Sequence, residues 1–225
     1  MANLAPLQPQ HVSVVDQLYA ALRAAIIDHA LPPGARISEA EVAQQYGISR
    51  QPAREAFIKL ANEGLLEIRP QRGTFVAKIS LTDVMDARFV REAVEADIAK
   101  LLAAAPDPVV IADLLAQLTR QQDLIGGSAR DFMEADEIFH RTLADAAGKS
   151  KAWEIVVAMK AQMDRVRFLS SMHFPVDRLI EQHRDIVDGI AEGNAARADE
   201  GMRLHLRGIL TDLPVIKQER PEYFT

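Results

Sequence analysis

Gly47-Ile48-Ser49-Arg50-Gln51-Pro52-Ala53-Arg54-Glu55-Ala56-Phe57 is the stretch that decides the fold of this chain. Its first residue can adopt the left-handed backbone conformation that ends a helix, and Ser49 is a preferred first residue, or N-cap, of the next helix. Pro52 falls in the first turn of that second helix, where its missing N–H costs little. The pattern therefore predicts two helices joined by a tight turn, the second running from about residue 50 to residue 63.

The second helix has two chemically different faces. Its polar face presents Arg50, Gln51 and Arg54 near the N-terminal end. Arginine can bind guanine and glutamine can bind adenine through paired hydrogen bonds, and a helix N-terminus favours a phosphate. This end of the helix therefore has the chemistry of a reader of the DNA major groove. The opposite face is apolar at helical spacing and consists of Ala53, Ala56, Phe57, Leu60 and Ala61.

A short hairpin is predicted directly after this helix. Leu66 and Ile68 alternate with charged residues, which is typical of a strand with one buried face. Residues 70–73 then form a turn into a second strand at residues 74–76, with Arg72 at the tip of the turn. A hairpin in this position indicates the wing of a winged helix-turn-helix.

Two further helices are expected before the DNA-reading helix at residues 50–63, which is called the recognition helix below. Ser38 and Glu41 have the spacing of a capping box, which predicts a short helix that ends at Gly47. An earlier helix, ended by a Pro-Pro-Gly turn at residues 32–34, is predicted from the helical spacing of Val14, Val15, Leu18, Tyr19, Leu22, Ala25 and Ile26.

Residues 31–34, 47–56, 60–65 and 72–76 closely resemble the DNA-binding domain of GntR-type bacterial transcription regulators. The resemblance covers about residues 10–78, and it implies DNA contacts from Arg50, Gln51 and Arg54 in the major groove and from Arg72 and Gly73 of the wing. Because one recognition helix reads only a few base pairs, we expect a homodimer bound to an inverted repeat in double-stranded operator DNA.

The charge distribution is consistent with DNA contact at one end of the chain. The whole chain has a net charge of −6. Residues 1–78 contain 8 basic and 7 acidic residues, whereas residues 79–225 contain 18 and 25. Binding to phosphates needs local cations rather than a basic chain, and residues 49–78 hold 6 basic and 3 acidic residues.

Cysteine content and hydropathy indicate the cellular compartment in which the protein is expected. The chain contains no cysteine, which fits a reducing environment. Residues 1–10 lack the basic start and apolar run of a signal peptide, and no later stretch approaches 18 uninterrupted apolar residues. We therefore expect a cytoplasmic protein with no membrane partner.

The second half of the chain is predicted to be helical throughout, so the whole chain is expected to be mainly α. Ser80 and Asp83 predict the cap of a new helix, and we place the domain boundary between residues 78 and 79. Short loops between long helices favour an antiparallel bundle of six to seven helices over residues 79–213. The predicted helices cover residues 81–105, 109–125, 129–147, 151–172, 177–192 and 195–212. Residues 214–225, with two prolines, are predicted to form an irregular tail.

Four polar side chains occupy positions where the helical pattern expects apolar core residues. Asp136 and His140 are one turn apart on the third bundle helix, and His183 and His205 lie on the fifth and the last. A histidine taken alone is most simply a hydrogen-bonded core residue. Together the four favour a divalent metal site, with zinc expected first and nickel, iron or manganese as alternatives.

Residues 89–95, 136–140, 181–186 and 202–206 resemble the all-helical ligand-binding (FCD) domain of FadR-type GntR regulators in its metal-binding form. The resemblance spans roughly residues 81–213. It implies that Asp136, His140, His183 and His205 are metal ligands, that Arg91 contacts an effector, and that the effector is a small carboxylic acid.

The partner of Arg91 is open between two possibilities. Arg91 shares a helix face with Ala87, Val94 and Ile98, so its guanidinium points into the bundle and needs an anion. That anion is either Glu95, one turn further along the same helix, or the carboxylate of a bound ligand.

The sequence therefore predicts a transcription regulator, expected to be a repressor, whose operator binding responds to a small carboxylate at a metal centre. An alternative from the enzyme class is a metal-dependent hydrolase or lyase with an appended DNA-binding domain. That chemistry needs a base beside the metal, and Glu134 and Glu137 point partly away from the ligands, so no catalytic residue is assigned. A third interpretation is a structural metal with no effector.

Overall fold

The computed structural model describes residues 13–225, and the part of the predicted first domain that precedes Ser13 lies outside that range. The chain folds into a winged helix-turn-helix followed by a bundle of helices, which confirms the predicted mainly α fold. In chain order the elements are α1 (Val14–Ile27), β1 (Arg36–Ile37), α2 (Glu39–Gln45), α3 (Arg50–Asn62), β2 (Leu66–Arg69), β3 (Gly73–Val76), α4 (Leu81–Ala104), α5 (Pro108–Asp123), α6 (Ala129–Ala146), α7 (Ser150–Met159), α8 (Ala161–His173), α9 (Asp177–Ala191), α10 (Ala195–Arg207), α11 (Ile209–Glu219) and a 3₁₀ turn (Pro221–Tyr223).

The winged helix-turn-helix encloses a core of its own. Helices α1 and α3 pack together, and Leu22, Phe57 and Leu60 belong to one buried apolar cluster. Because the apolar face of α3 is turned inward, its polar face is exposed to solvent. The sheet has the strand order β1-β3-β2 with antiparallel neighbours.

Two details of this part differ from the sequence prediction. Strand β1 has only two residues, too few for an alternating pattern to reveal it. Ser38 precedes α2 with an extended backbone, but its side chain makes no capping hydrogen bond, so the predicted capping box with Glu41 is wrong. The helix still begins where expected because the backbone N–H of Val42 donates to the carbonyl of Ser38.

The predicted wing is formed by β2, β3 and the turn between them. Gln71 in this turn has a φ of +58°, and the N–H of Arg72 donates to the carbonyl of Arg69 at 3.0 Å. The turn therefore projects Arg72 into solvent at the tip of the wing.

Helix α4 is the axis of the bundle. Its N-cap is the predicted Ser80, whose hydroxyl accepts a hydrogen bond from the N–H of Asp83. α4 packs against α6, α7, α8, α9 and α10, and the shared core includes Phe139, Leu143 and Met202. Among the described residues, no helix is both long enough and apolar enough to cross a membrane.

Two predicted bundle helices are each divided, so the bundle has eight helices, α4 to α11, rather than six or seven. Lys160 separates α7 from α8, and Gly208 separates α10 from α11. Lys160 is buried, and its ammonium group pairs with Asp164 at 2.7 Å and with Glu137 at 2.8 Å. The pair with Glu137 of α6 depends on tertiary packing, which the periodicity of one helix does not reveal.

The predicted irregular tail is also wrong. Helix α11 continues through Pro214 to Glu219, and Phe224 forms a parallel bridge with Ile79. Ile216 and Phe224 are buried in a cluster with Ile79. Burial of these side chains offsets the hydrogen bond that a proline removes from a helix interior.

Candidate metal centre and nucleic-acid interface

Four buried side chains from three helices converge inside the bundle. Asp136 and His140 lie one turn apart on α6, His183 lies on α9 and His205 lies on α10. One ligand atom from each residue lies within 4.8 Å of those of the other three. The structure thus brings together all four residues that the sequence singled out as candidate ligands.

The atoms that face one another are the three Nε2 nitrogens and the carboxylate oxygens. His205 Nε2 is 3.2 Å from His140 Nε2 and 3.3 Å from His183 Nε2. Asp136 Oδ2 is 3.7 Å from His140 Nε2, and Asp136 Oδ1 is 3.5 Å from His183 Nε2. Ligands about 2 Å from a single ion have mutual separations of roughly this size.

The outer nitrogen of each imidazole faces an acceptor. These acceptors are Glu95 Oε2 for His140 at 2.6 Å, Gln121 Oε1 for His183 at 2.8 Å and Gln182 Oε1 for His205 at 3.3 Å. The amide of Gln121 is oriented by its nitrogen, which donates to the carbonyl of Ala135. The hydrogen bonds of His183 and His205 favour a proton on Nδ1, and the charge of the Glu95 carboxylate favours one on Nδ1 of His140, although that contact does not have hydrogen-bond geometry. Each Nε2 then presents a lone pair to the centre of the cluster.

The chemistry of this donor set fits a divalent cation. Lone pairs and a carboxylate that face one another in a buried site are unfavourable unless a positive charge lies between them. Asp136 Oδ1 is buried and has no hydrogen-bond partner in the described part of the chain. Three imidazole nitrogens and one carboxylate oxygen are ligands typical of zinc and of neighbouring divalent metals.

The protonation states are those that a metal requires. Burial lowers the pKa of His183 to about 3 and holds the pKa of His205 well below its usual value. Burial alone would raise the pKa of Asp136, but the positive charge of Arg167 outweighs it, and the pKa of Asp136 stays well below the usual range. At neutral pH His183 and His205 are therefore neutral and Asp136 is ionised, as binding of a metal ion requires.

Arg91 is paired with Glu95, the internal partner that the sequence left open. Its Nε is 2.6 Å from Glu95 Oε1, and its Nη2 donates to Glu95 Oε2 at 3.3 Å. Glu95 also lies beside His140, so one buried carboxylate serves both the arginine and a candidate metal ligand. Burial opposes ionisation of Glu95, but Arg91 and His140 outweigh it and lower its pKa to about 2.

A small cavity adjoins the cluster. It has a volume of about 40 Å³, and its polar lining residues are Arg91, Arg167, Ser170, Ser171, His205 and Asp212. Arg91 Nη1 is buried and makes no hydrogen bond within the described residues. The arginine that lines this cavity beside the candidate metal site is thus paired with Glu95 and retains one guanidinium nitrogen without a partner.

Sequence reasoning did not identify three polar residues around the cluster. Gln121 and Gln182 accept from the histidines, and Arg167 forms an ion pair with Asp136. The sequence does carry one signal for a residue such as Arg167, because a buried aspartate such as Asp136 needs a cation beside it. No sequence spacing could have identified which helix supplies that cation.

Four of the five predicted DNA-reading residues are exposed. Arg50, Gln51 and Arg54 are exposed on the first turns of α3, and Arg72 is exposed at the wing tip. Gln51 Nε2 donates to Glu55 Oε1 at 2.9 Å, so this amide already has a partner on its own helix.

Gly73 has a structural requirement of its own. Its φ is +104°, a region that favours glycine, and a Cβ at this position would lie 3.1 Å from Nε of Arg36. The glycine therefore allows Arg36 to lie across the wing, which places a further exposed cation beside the predicted DNA-reading residues.

Two solved structures share this architecture. The chain aligns with E. coli McbR/YncC at a TM-score of 0.72, with 20% identity, over 94% of this chain and 100% of the other. It aligns with a structure described as a GntR transcriptional regulator from Rhodococcus sp. RHA1 at a TM-score of 0.71, with 24% identity, over 89% and 97% of the two chains. At these identities the likeness concerns the fold alone.

Sequence comparison identifies the family. The model for bacterial regulatory proteins of the gntR family matches residues 14–76, and the FCD domain model matches residues 86–208. The HTH-type transcriptional repressor RspR of Escherichia coli (strain K12) is 37% identical over 225 residues, which cover 99% of this chain and 97% of RspR. A probable D-xylose utilization operon transcriptional repressor of Paenarthrobacter nicotinovorans is 33% identical over 181 residues and 80% of each chain. The chain therefore belongs to the GntR family of bacterial regulatory proteins, as a transcriptional regulator with an FCD domain and not as an enzyme.

Proposed function

We propose that Asp136, His140, His183 and His205 bind one divalent metal ion, with zinc as the first choice, and that a small carboxylic acid bound beside the ion changes the affinity of the protein for operator DNA. The observation that carries the proposal is the convergence of three Nε2 nitrogens whose partner Nδ1 atoms all face acceptors. A core of merely structural histidines has no reason to direct three lone pairs at one point.

The cavity beside the cluster supports a small acid as effector. Its volume of about 40 Å³ corresponds to roughly three water molecules. Arg91 has the unpaired Nη1, and Arg167 also lines the cavity. A divalent ion can coordinate a carboxylate oxygen of the acid, and an arginine beside the ion can donate two parallel hydrogen bonds to a carboxylate.

We propose that the DNA-binding unit is a homodimer on an inverted repeat. Arg50, Gln51 and Arg54 would enter the major groove, and Arg72 and Gly73 would lie against the adjacent backbone. Repression is the proposed outcome because two relatives, from Escherichia coli and Paenarthrobacter nicotinovorans, are named as repressors.

The direct test is a thermal-shift screen of small mono-, di- and hydroxycarboxylates, run with zinc and with a chelator. A ligand that binds the folded state raises the melting temperature by mass action. We expect at least one acid to stabilise the zinc-loaded protein and to lose its effect with the chelator. That acid is then tested against operator DNA selected from a random double-stranded pool.

Two results of the screen would contradict the proposal. Stabilisation by zinc with no response to any acid would favour a purely structural metal. An acid that stabilises the protein equally with and without the chelator would place the effector away from the metal.

A further inference from the structure

Two side chains of helix α8 donate hydrogen bonds to backbone carbonyl oxygens of the winged helix-turn-helix. Gln162 Nε2 donates at 2.6 Å to the carbonyl of Gly64, directly after the recognition helix α3. Arg165 Nη1 donates at 2.9 Å to the carbonyl of Ala77, in the connection between the wing and α4. Ala161 is buried in the apolar core of the winged helix-turn-helix. The start of α8 is therefore packed into the DNA-binding half of the chain.

The same helix bonds to the candidate metal centre. Arg167 of α8 forms a hydrogen-bonded ion pair with Asp136, and Asp136 is fully buried. Arg167 lies five residues after Gln162, so the two contacts are separated by little more than one helical turn. Arg167 is therefore close along α8 to Gln162, whose hydrogen bond to Gly64 lies at the end of the recognition helix.

Charges of alternating sign run from Asp136 to the recognition helix. Arg167 Nη1 is 3.6 Å from Asp164 Oδ1, and Asp164 Oδ2 is 3.7 Å from Nη2 of Arg23 on α1. Arg23 Nε donates at 3.0 Å to Glu63, the residue that caps the C-terminus of α3. Each residue of this alternating series contacts the next, in the order Asp136, Arg167, Asp164, Arg23 and Glu63.

The contacts of Asp164 with Arg167 and with Arg23 are both longer than a hydrogen bond, and each involves an atom that has no hydrogen-bond partner. Asp164 Oδ1 and Arg23 Nη2 are buried, and neither makes a hydrogen bond within the described residues. Asp164 Oδ2 is held by Lys160 at 2.7 Å, and Glu137 shares that lysine at 2.8 Å. Asp164 can therefore gain a hydrogen bond from Arg167 without losing the one from Lys160.

We propose that α8 couples the metal centre to the recognition helix through Arg167, Asp164 and Arg23. The inference rests on the proposed metal centre. A divalent cation at Asp136 repels Arg167 and neutralises the carboxylate that holds it, so Arg167 moves toward Asp164 Oδ1. A carboxylate paired with both Arg167 and Lys160 attracts Arg23 less. Cation binding therefore loosens the contact between the bundle and the winged helix-turn-helix.

Hydrogen exchange of the full chain with zinc alone as the probe tests this coupling. Zinc uptake is measured separately by competition with a colorimetric chelator. We expect zinc to slow amide exchange in α6 and α9, which carry ligands, and to speed exchange at residues 60–66, at the end of α3, by roughly fivefold or more. In Arg23→Met the contact between Arg23 and Asp164, which zinc is expected to loosen, is already absent. This variant should therefore bind zinc normally, while amide exchange at residues 60–66 no longer changes when zinc is added.

A matched control removes a different ion pair between the same two parts of the chain. Arg130 of α6 pairs with Asp28, which follows α1, and neither residue belongs to the alternating series. Arg130→Met should keep the zinc response at residues 60–66. Asp164→Asn is a second test variant that changes only charge, and it should behave as Arg23→Met does.

The outcomes separate the coupling from the metal site. If the native chain takes up zinc and exchange at residues 60–66 is unchanged or slower, the coupling is wrong and the metal centre stands. An undiminished response in both Arg23→Met and Asp164→Asn would also overturn the coupling. A native chain that takes up no zinc would overturn the metal centre and, with it, the coupling.

Discussion

His183 Nδ1 and Gln121 Oε1 are 2.8 Å apart in the interior of the bundle. Gln121 is fully buried on α5, a helix that carries none of the four candidate ligands. Through this contact a helix outside the cluster sets the tautomer and the ring orientation of a candidate ligand. The proposed metal centre is thus supported by a layer of amides and carboxylates around the ligands themselves.

Gln121→Ala should weaken zinc binding by about 10–100-fold, because the imidazole of His183 loses the acceptor that orients it. Gln117→Ala is the matched control, since Gln117 is a buried glutamine on the same helix that bonds to Asp113 and Thr142 instead. Competition titration against a zinc chelator measures both variants. Equal affinities in the two would show that Gln121 has no role in metal binding.

The sequence predicted those features that depend on local periodicity. Asp136 and His140 were found because residues four apart share a helix face, and the apolar face of α3 implied its exposed arginines. The residues around the cluster were missed for a physical reason. Gln121 and Arg167 reach it from α5 and α8, and only tertiary packing decides which residue of a helix faces a neighbour.

The end of the chain shows the same limit. Pro214 predicts a helix stop from local chemistry, yet α11 passes through it because Leu213 and Ile216 are buried against other helices. The division at Lys160 has no glycine or proline to mark it, and the buried Lys160 pairs with Glu137 of another helix. Tertiary burial outweighs local propensity at Pro214.

Arg91→Lys should retain zinc and lose much of the effector response. Lysine keeps a positive charge beside Glu95, whereas alanine would leave that buried carboxylate without its cation and disturb His140 as well. A lysine cannot donate the two parallel hydrogen bonds of a guanidinium, so the coupling of acid to operator binding should fall by about 1–3 kcal/mol.

The measurement for Arg91→Lys is operator affinity with and without the acid that the thermal-shift screen identifies. Zinc affinity, determined in parallel, serves as the control for the integrity of the centre. An effector response equal to that of the native protein would show that Arg91 serves only Glu95.

Arg54→Ala should lower specific operator affinity by about 1–3 kcal/mol and relax the base preference at one position of each half-site. Arg72→Ala should instead weaken binding to all sequences and reduce its salt dependence. Arg120→Ala removes an exposed arginine from the bundle and is the control. Fluorescence anisotropy with specific and random DNA at several salt concentrations distinguishes these effects, and equal losses on both DNAs for Arg54→Ala would exclude base reading.

His29 should make the stability of the protein depend on pH. Burial lowers the pKa of His29 to about 4, and its Nε2 lies 3.0 Å from the carbonyl of Arg165 across the boundary between the two halves. The unfolded chain binds a proton near pH 6.5, and the folded chain resists it until about pH 4. The contribution of His29 is therefore present above pH 6.5 and is lost as the pH falls toward 4.

The test for His29 is urea unfolding at pH 7 and pH 5. His29→Asn keeps a residue that tolerates the positive φ of 61° at this position but cannot titrate. After allowance for partial exposure, we expect the loss of stability between pH 7 and pH 5 to be about 1 kcal/mol smaller in the variant. The same pH dependence in both proteins would assign the effect to other groups.

Calorimetric titration of the chelator-treated chain with zinc tests the central claim, that the four-residue cluster is a metal centre, most directly. We predict one zinc ion bound per chain in the native protein and in His173→Ala, whose histidine pairs with Glu219 and is not a member of the cluster, and loss of that binding in His183→Ala. No zinc uptake by the native chain, or undiminished uptake by His183→Ala, would contradict the account.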